Sequence, residues 1–357
     1  MSQSVFYCNY TIGEDAYAQL PQICRAHGQR LLVIGGETAL QRALPALEHA
    51  VEGSGLSIDR VLRFGGECTE AAVESLTAAC LPADGAVVVG VGGGKALDTA
   101  KAVAARLGRP VVTLPTIAAT CAATSALSVL YHPDGRHDRF LQLEVPPLHC
   151  FMHTGILAQA PSMYLRGGMG DALGKFFESH FVSRGVPLGH ASALGRQISV
   201  RGHDAVLLYG LQAMVDCENG EDSPPLREVV LANIVTTGLA SLLLEERYSG
   251  GVAHSIAAGL AEIEGMEQRA LHGDLVGYGV LVQLVLDDGE ERAVGLSLFL
   301  RRIGIPVCLG DLGLGEDDAL LGMALRIAAD FPDMANLPYP VDAQRLYEAV
   351  LRLERLP

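Results

Sequence analysis

The sequence predicts an α/β domain with a parallel sheet over residues 1–158, followed by an all-α domain over residues 159–357. Short β-rich runs alternate with helical stretches along the first 150 residues, which is typical of a parallel sheet wrapped by helices. After about residue 158 strand signals become rare, and long stretches with helical apolar periodicity dominate. We therefore expect the boundary near residues 155–162 and a ligand site in the cleft between the two domains.

The elements follow from this alternation of periods. Strands of the first domain are expected at 31–34, 60–64, 86–91 and 111–114. Its helices are expected at about 37–50, 69–80 and 95–107. Two β-capable runs, 126–131 and 139–143, flank a Pro-Asp-Gly turn and predict a hairpin appended to the sheet. Helical stretches of the second domain are expected at 170–183, 191–216, 226–247, 251–261, 272–287 and 290–302.

Composition excludes several classes of protein. The 357 residues carry 26 Lys+Arg against 41 Asp+Glu, and a net charge of −15 argues against a nucleic-acid partner. The longest apolar run, about 275–286, is too short to span a bilayer, and the first residues have no secretory pattern. The eight cysteines form no CxxC pair, as expected of reduced thiols. We expect a cytoplasmic protein without a membrane partner.

A glycine-rich turn joins the strand at 86–91 to the next helix through Gly92, Gly93, Gly94 and Lys95. Glycines allow close approach of a ligand, the start of a helix offers free N–H groups to a phosphate, and the lysine adds a charge. The turn is neither a Walker A loop nor a GxGxxG fingerprint. The alternative is an ordinary tight turn of an α/β protein.

A run of hydroxyl side chains follows the next predicted strand. Residues 115–125 include Thr116, Thr120 and Ser125, and loops at the carboxyl ends of parallel strands line the ligand crevice of such sheets. The run therefore predicts ligand contacts close to the glycine turn. A polar loop without a ligand is the alternative.

Three residues of the second domain form a candidate metal site. Asp171, His254 and His272 each lie beside glycines, so that backbone can pack closely around them. One carboxylate and two imidazoles suit a divalent cation that keeps an open position for substrate. Histidines that only pack or cap a helix are the alternative at this stage.

Together these segments resemble the glycerol-dehydrogenase-like branch of the iron-containing (group III) alcohol dehydrogenases. The matching segments are GGECTE (65–70), GVGGGKALDTAKA (90–102), PTIAATCAATSALSVLY (115–131), GMGDALGKFFES (168–179), AHSIAAGL (253–260) and LHGDLVGYGVLVQLVL (271–286). The resemblance implies a Rossmann-like first domain and a helical second domain, the fold shared with dehydroquinate synthase. It also implies an oxidoreductase that acts on CH–OH groups with a nicotinamide cofactor and one divalent metal.

The resemblance also assigns roles to individual residues. The family's metal positions fall on Asp171, His254 and His272. Its pyrophosphate turn falls on Gly93, Gly94, Lys95 and Asp98. Its nicotinamide segment falls on Thr116, Thr120, Ser125, Leu127 and Tyr131. The implied mechanism is a Lewis-acid metal on the substrate oxygen, with hydride passing between the carbinol carbon and the nicotinamide.

Two departures from the family pattern bear on the substrate. Glycerol dehydrogenases have an aspartate where this chain has Cys121, and loss of a hydrogen-bond acceptor disfavours a polyol. Lys175 stands where the four-ligand iron enzymes have a histidine, which favours a three-ligand site and zinc over iron. We hypothesise that Lys175 contacts a substrate carboxylate. An i,i+4 ion pair with Asp171 is the alternative.

A third departure concerns the cofactor. NAD-specific relatives carry an acidic residue at the position of Gly36 to bind the ribose hydroxyls, and its absence favours NADP(H) over NAD(H). Glu37, one position later, could still take the ribose role, or it could be a solvated residue at the start of a helix.

The sequence thus favours a reductase of a small 2-oxo acid, or a dehydrogenase of the 2-hydroxy acid, with NADPH. NAD-dependent oxidation of glycerol is the alternative, and a lyase of the dehydroquinate-synthase type or a non-catalytic nucleotide-binding protein is more remote. Relatives form dimers to octamers, so a homo-oligomer is expected.

Overall fold

The computed structural model describes residues 4–357, and the chain forms two compact units by its internal contacts. Unit 1 runs to Pro161 and also includes Asp216–Arg227, while unit 2 comprises Ser162–Val215 and Glu228–Pro357. The sequence predicted a break after residue 158 and an uninterrupted second domain. The difference arises because Asp222 accepts a hydrogen bond from Thr154 and the thiol of Cys217 donates to the backbone oxygen of Ala160, which joins the excursion to the rest of unit 1.

The strands of unit 1 in chain order are β1 (Asn9–Gly13), β2 (Arg30–Gly35), β3 (Ser57–Arg63), β4 (Ala86–Gly92), β5 (Val111–Pro115), β6 (Leu127–Tyr131), β7 (His137–Gln142) and β8 (His149–His153). Six of them form a parallel sheet in the order β1-β8-β5-β4-β2-β3. The helices are α1 (Leu20–Cys24), α2 (Glu37–Val51), α3 (Glu70–Ala79), α4 (Gly94–Leu107) and α5 (Thr154–Ala158). The predicted α/β class with a parallel sheet is confirmed.

The continuous apolar character of β4 is explained by burial of both sheet faces. Val87, Val89 and Val91 pack in one core cluster, while Ala86 and Val88 pack in the other. Alternate residues of a strand point to opposite faces, so a central strand covered on both sides must be apolar throughout. The edge strand β1 and its neighbour β8 were not predicted, because each has only five residues and neither alternates regularly.

The predicted hairpin forms, but it is not appended to the main sheet. Strands β6 and β7 pair with each other in antiparallel fashion as a separate two-stranded sheet. This sheet is attached to α4 instead: Ser128 donates to the backbone oxygen of Asp98 at 3.0 Å, and the backbone N–H of Val129 donates to its carboxylate at 3.1 Å. The connection to a helix explains why the prediction of a shared sheet was wrong.

The regular elements of unit 2 within the described residues are all helices, as predicted. Its helices, two of which extend into the excursion assigned to unit 1, are α6 (Ser162–Val182), α7 (His190–Asn219), α8 (Pro224–Leu231), α9 (Thr237–Leu243), α10 (Val252–Ala261), α11 (Met266–Arg269), α12 (His272–Leu286), α13 (Glu290–Ile303), α14 (Ala319–Ala329) and α15 (Ala343–Glu354). Every residue of α12 after His272 is buried. The apolar run at 275–286 is therefore part of a core helix.

One helical stretch, Pro224–Leu243, passes the length and hydropathy test for a membrane-spanning helix among the described residues. Its mean hydropathy over the most apolar window is 1.4, and 61% of that window is buried inside the protein. A core helix of a folded protein meets the same test, and a π-helical turn at Ala232–Thr236 interrupts the stretch.

Candidate functional site

Three helices of unit 2 bring the predicted metal residues together. Asp171 lies in the middle of α6, His254 in the first turn of α10, and His272 begins α12. One potential ligand atom from each residue lies within 4.8 Å of the other two. His254 Nε2 is 3.3 Å from Asp171 Oδ1, and the two imidazole rings are 5.5 Å apart.

Glycines allow these helices to approach so closely. A Cβ atom on Gly273 would lie 1.7 Å from the backbone oxygen of Gly167, and one on Gly170 would lie 1.9 Å from that of Gly273. A Cβ atom on Gly174 would lie 2.4 Å from Val276 Cγ1. Larger side chains would push α6 and α12 apart and separate Asp171 from His272.

Glu178 orients His254, and the sequence analysis missed it. Its Oε1 accepts the backbone N–H of His254 at 2.8 Å, and its Oε2 contacts His254 Nδ1. Metal-binding histidines commonly donate their second ring N–H to a carboxylate, which leaves the other nitrogen available as a ligand. The signal in the sequence was the spacing, since Glu178 follows Asp171 by two helical turns and so shares its helix face.

A second buried carboxylate fixes the turn that carries His272. Asp274 Oδ2 accepts the backbone N–H of Leu271 at 3.0 Å, and its two oxygens accept hydrogen bonds of 2.8 and 2.7 Å from Arg166. This bidentate ion pair joins the start of α12 to α6. The sequence analysis did not identify either partner, because the pair joins residues distant in the chain.

Two carboxylates, Asp171 and Glu178, flank the imidazole of His254 and set the ionisation of the site. Burial opposes ionisation of Asp171, but the neighbouring His254, His272 and Lys175 together hold the pKa of its carboxyl below the usual range. Burial also lowers the pKa of His272, which favours its neutral form. For His254 the carboxylates of Glu178 and Asp171 outweigh burial and raise the pKa to about 10.

This donor set fits a divalent metal. It offers one carboxylate oxygen and two imidazole nitrogens, the ligand types that zinc and related cations take in catalytic sites with an open position. Metal–ligand distances of about 2.0–2.2 Å require only a small closure of three atoms that already lie within 4.8 Å of one another.

Lys175 lies one helical turn after Asp171 and is buried. Its ammonium group donates to the backbone oxygen and the hydroxyl of Ser249, the latter at 2.9 Å. Among the described contacts it forms no direct ion pair with Asp171, which was the alternative considered from the sequence. An ammonium group has three N–H bonds, so one remains for a further acceptor.

In unit 1 the glycine turn lies against the hydroxyl segment. A Cβ atom on Gly93 would lie 2.5 Å from Ile117 Cδ1, and one on Gly94 would lie 3.2 Å from Thr120 Oγ1. The backbone N–H of Thr116 donates to the oxygen of Gly92 at 3.1 Å. The two segments predicted to contact a dinucleotide are therefore neighbours at the carboxyl ends of β4 and β5.

Lys95 is already paired within the protein. Its ammonium contacts the carboxylate of Glu67, a residue that the sequence analysis did not single out, and lies 5.0 Å above the ring of Tyr131. The side chain is 38% exposed, so an incoming phosphate can reach it.

Asp98 was predicted to contact the cofactor, but the structure directs its carboxylate into the protein. One oxygen lies 2.8 Å from the ammonium of Lys101 and the other accepts the backbone N–H of Val129. Burial raises the pKa of Asp98, and Lys101 opposes this shift. Lys101, which the sequence analysis missed, also donates to Ser125 and to the backbone oxygen of Leu127.

The two remaining predicted residues occupy loop positions in unit 1. Gly36 precedes α2 with extended backbone (φ −71°, ψ 152°), and Cys121 begins a short 3₁₀ turn at Cys121–Ala123 and is half-buried. Neither Gly36 nor the thiol of Cys121 supplies a carboxylate.

Comparison with known proteins identifies the family. The model for "iron-containing alcohol dehydrogenase" matches residues 8–153. The glycerol dehydrogenase of Pseudomonas putida is 33% identical over 356 residues, which cover 97% of this chain and 95% of the relative. The chain belongs to the iron-containing alcohol dehydrogenase family. Within that family it lies in the glycerol-dehydrogenase-like branch, as the sequence predicted.

Two further relatives support this placement. Hydroxycarboxylate dehydrogenase A of Escherichia coli is 34% identical, and the match covers 83% of this chain and 82% of the relative. The crystal structure of glycerol dehydrogenase from Schizosaccharomyces pombe superposes with a TM-score of 0.88 at 28% identity, over 99% of this chain and 90% of that chain. The chain is thus an oxidoreductase of an NAD(P)-dependent family that uses a divalent metal.

Proposed function

We propose that this alcohol dehydrogenase interconverts small 2-oxo and 2-hydroxy carboxylic acids and uses NADPH as the reductant. The observation that carries the proposal is the grouping of Asp171, His254 and His272, with one ligand atom of each within 4.8 Å of the others; Asp171 is buried, His254 half-buried and His272 exposed. We propose zinc rather than iron, because Lys175 occupies the position of the fourth ligand in four-ligand enzymes and an ammonium group cannot bind a metal.

The residues of the site have separate roles in this reaction. A divalent cation held by Asp171, His254 and His272 would act as a Lewis acid on the substrate oxygen, and the nicotinamide would donate or accept hydride. Glu178 holds the Nδ1 side of His254, so that Nε2 faces the other ligands. Asp274 holds the first turn of α12 and with it the position of His272.

Two observations support an acidic substrate. Lys175 places a buried positive charge one helical turn from Asp171 and keeps one N–H for a further acceptor. Position 121 carries a thiol in place of the carboxylate of glycerol dehydrogenases, which removes both an acceptor for a polyol and a repulsive charge against an acid. The relative named hydroxycarboxylate dehydrogenase A is consistent with this substrate class.

The remaining attributes are also proposals. Gly36 favours NADP(H), because no carboxylate at that position repels a 2′-phosphate. We propose a cytoplasmic homo-oligomer, between a dimer and an octamer, and the absence of any disulfide among the eight cysteines, all within the described residues, supports a reducing compartment.

NAD-dependent oxidation of glycerol is the second candidate. It is favoured by relatives of 33% and 36% identity, from Pseudomonas putida and Thermotoga maritima, that carry the name glycerol dehydrogenase.

Steady-state rates on protein of measured metal content test the proposal. We expect kcat/KM for 2-oxobutanoate or 2-oxoglutarate with NADPH to exceed that for glycerol with NAD. A higher kcat/KM for glycerol with NAD would instead identify the protein as a glycerol dehydrogenase. Net consumption of NADPH excludes a lyase, which regenerates its cofactor, and a protein with neither metal nor turnover would be a nucleotide-binding protein.

A further inference from the structure

We propose that Arg63 binds the 2′-phosphate of NADPH and that Glu37, its ion-pair partner, limits the preference for this cofactor over NADH. The inference rests on the proposed function, since it names the residues that choose between its two cofactors. These roles of Arg63 and Glu37 are separate from the roles of the glycine turn and of the metal residues.

Arg63 lies at the correct edge of the sheet for this role. It is the last residue of β3 and pairs in register with Gly35, the last residue of β2. The backbone N–H of Phe64 continues the ladder by donating to the Gly35 oxygen at 3.2 Å. Ligands of open parallel sheets bind outside the carboxyl ends of the strands, which is where the Arg63 side chain originates.

The same edge carries the turn that is expected to bind the pyrophosphate. A Cβ atom on Gly92 would lie 3.5 Å from Ala39 Cβ and 3.9 Å from the backbone nitrogen of Gly36. The start of α2 and the end of β4 are therefore in contact. A dinucleotide with its pyrophosphate at Gly93 and Gly94 can extend its adenosine half towards Gly36 and Arg63.

The missing carboxylate at position 36 is not imposed by the backbone. Gly36 has φ −71° and ψ 152°, a conformation open to any residue. A Cβ atom there would make an ordinary contact of 3.4 Å with the ring of Phe64. An acidic side chain would fit at position 36, and in its absence the start of α2 and the end of β3 present the charges of Glu37 and Arg63.

The ion pair between them is open to exchange. Arg63 Nη2 and Glu37 Oε1 are 3.0 Å apart, and the two side chains are 68% and 57% exposed. Exposed ion pairs contribute little to the stability of a folded protein, whereas an arginine binds a phosphate through charged, commonly bidentate hydrogen bonds. A 2′-phosphate can therefore replace Glu37 as the ion-pair partner of Arg63, while the carboxylate of Glu37 repels the same phosphate.

Equilibrium binding to the whole protein tests the inference without turnover. NADPH and NADH are titrated by their own fluorescence into the wild type and into R63A, R63K and E37Q. The matched control is R136A, which removes an arginine of an equally exposed pair, 64% and 52%, formed with Asp134.

We expect R63A to weaken NADPH binding about tenfold or more and to change NADH binding less than about threefold, with R63K intermediate and R136A unchanged. E37Q should strengthen NADPH binding and leave NADH binding unchanged. Equal losses for both cofactors in R63A, or no loss, would overturn the role of Arg63. Weaker NADH binding in E37Q would instead assign Glu37 to the ribose hydroxyls and overturn its role here. If the wild type bound neither cofactor, the proposed function itself would fail.

Discussion

Glu178 binds His254 twice, through the backbone N–H at 2.8 Å and through ring Nδ1, and its carboxylate has no exposed surface. Because both oxygens are occupied, this residue sets the ring orientation of His254 and leaves Nε2 towards Asp171. The interaction is a positioning one, since Glu178 acts through the histidine and not on the substrate.

The variant E178Q should bind its metal about ten- to a hundredfold more weakly, as is typical when the carboxylate behind a metal-binding histidine is lost. Competition with a chelator of known affinity measures this change without any assay of turnover. The matched control is E262Q, an exposed carboxylate just after α10, the helix that carries His254. Unchanged metal affinity in a correctly folded E178Q protein would contradict the role of Glu178.

Replacement of Lys175 by methionine should raise KM for a 2-oxo acid about tenfold or more, because the change removes the buried charge that we propose as the partner of the substrate carboxylate. Propanal, the uncharged aldehyde that corresponds to 2-oxobutanoate without its carboxylate, provides the comparison, and its KM should change little. Steady-state kinetics at saturating NADPH separate the two cases. Equal effects on both substrates would mean that Lys175 only supports Ser249.

The buried ion pair of Asp98 and Lys101 should dominate the stability of the segment predicted to hold the nicotinamide. Lys101 is 0% exposed and also binds Ser125 and Leu127, so K101M leaves a buried carboxylate and several acceptors without their donor. We expect a loss of about 3–5 kcal/mol in the free energy of unfolding, measured with urea.

Two variants qualify this expectation. D98N/K101M should recover part of the loss, because the double change also removes the buried charge. K95M, on the same helix but 38% exposed, should lose far less. If K95M and K101M lost comparable free energies of unfolding, burial of the Asp98–Lys101 pair would not explain its contribution to stability.

The sequence predicted those parts of the molecule that depend on local pattern. The apolar run of β4 and the glycines 92–94 that follow it identify a strand, a turn and a helix start within one continuous segment. Asp171, His254 and His272 were found because each stands in a recognisable segment of the family. The structure brings one potential ligand atom of each within 4.8 Å of the other two.

The parts that could not be predicted depend on contacts between distant residues. Glu178 with His254 and Arg166 with Asp274 are pairs separated by 76 and 108 positions. Helical spacing places Glu178 on the helix face of Asp171, but no local pattern pairs it with His254. Asp98 was assigned to the cofactor because the resemblance places it in the pyrophosphate turn of the family. Its orientation towards Lys101 depends on how β6 packs on α4, which the sequence pattern does not contain.

His149 should make the stability of the protein depend on pH. It lies in β8, where Nε2 is 2.9 Å from Thr11 Oγ1 and the ring stacks on Phe151 at 4.3 Å, and burial lowers the pKa of its imidazole to about 4. An unfolded chain has the ordinary value of 6.5, so it takes up a proton at a higher pH than the folded protein does. The free energy of unfolding should therefore fall as the pH decreases from about 6.5 to about 4, by about 1.4 kcal/mol per pH unit from this residue.

Urea unfolding at about pH 7 and about pH 5 measures this contribution. Between these two conditions the wild type should lose about 2 kcal/mol more than H149Q, in which the titrating group is gone. H49Q removes a histidine that is 89% exposed and should behave as the wild type does. If H149Q lost as much stability as the wild type between the two pH values, the imidazole of His149 would not be the group that burial keeps neutral.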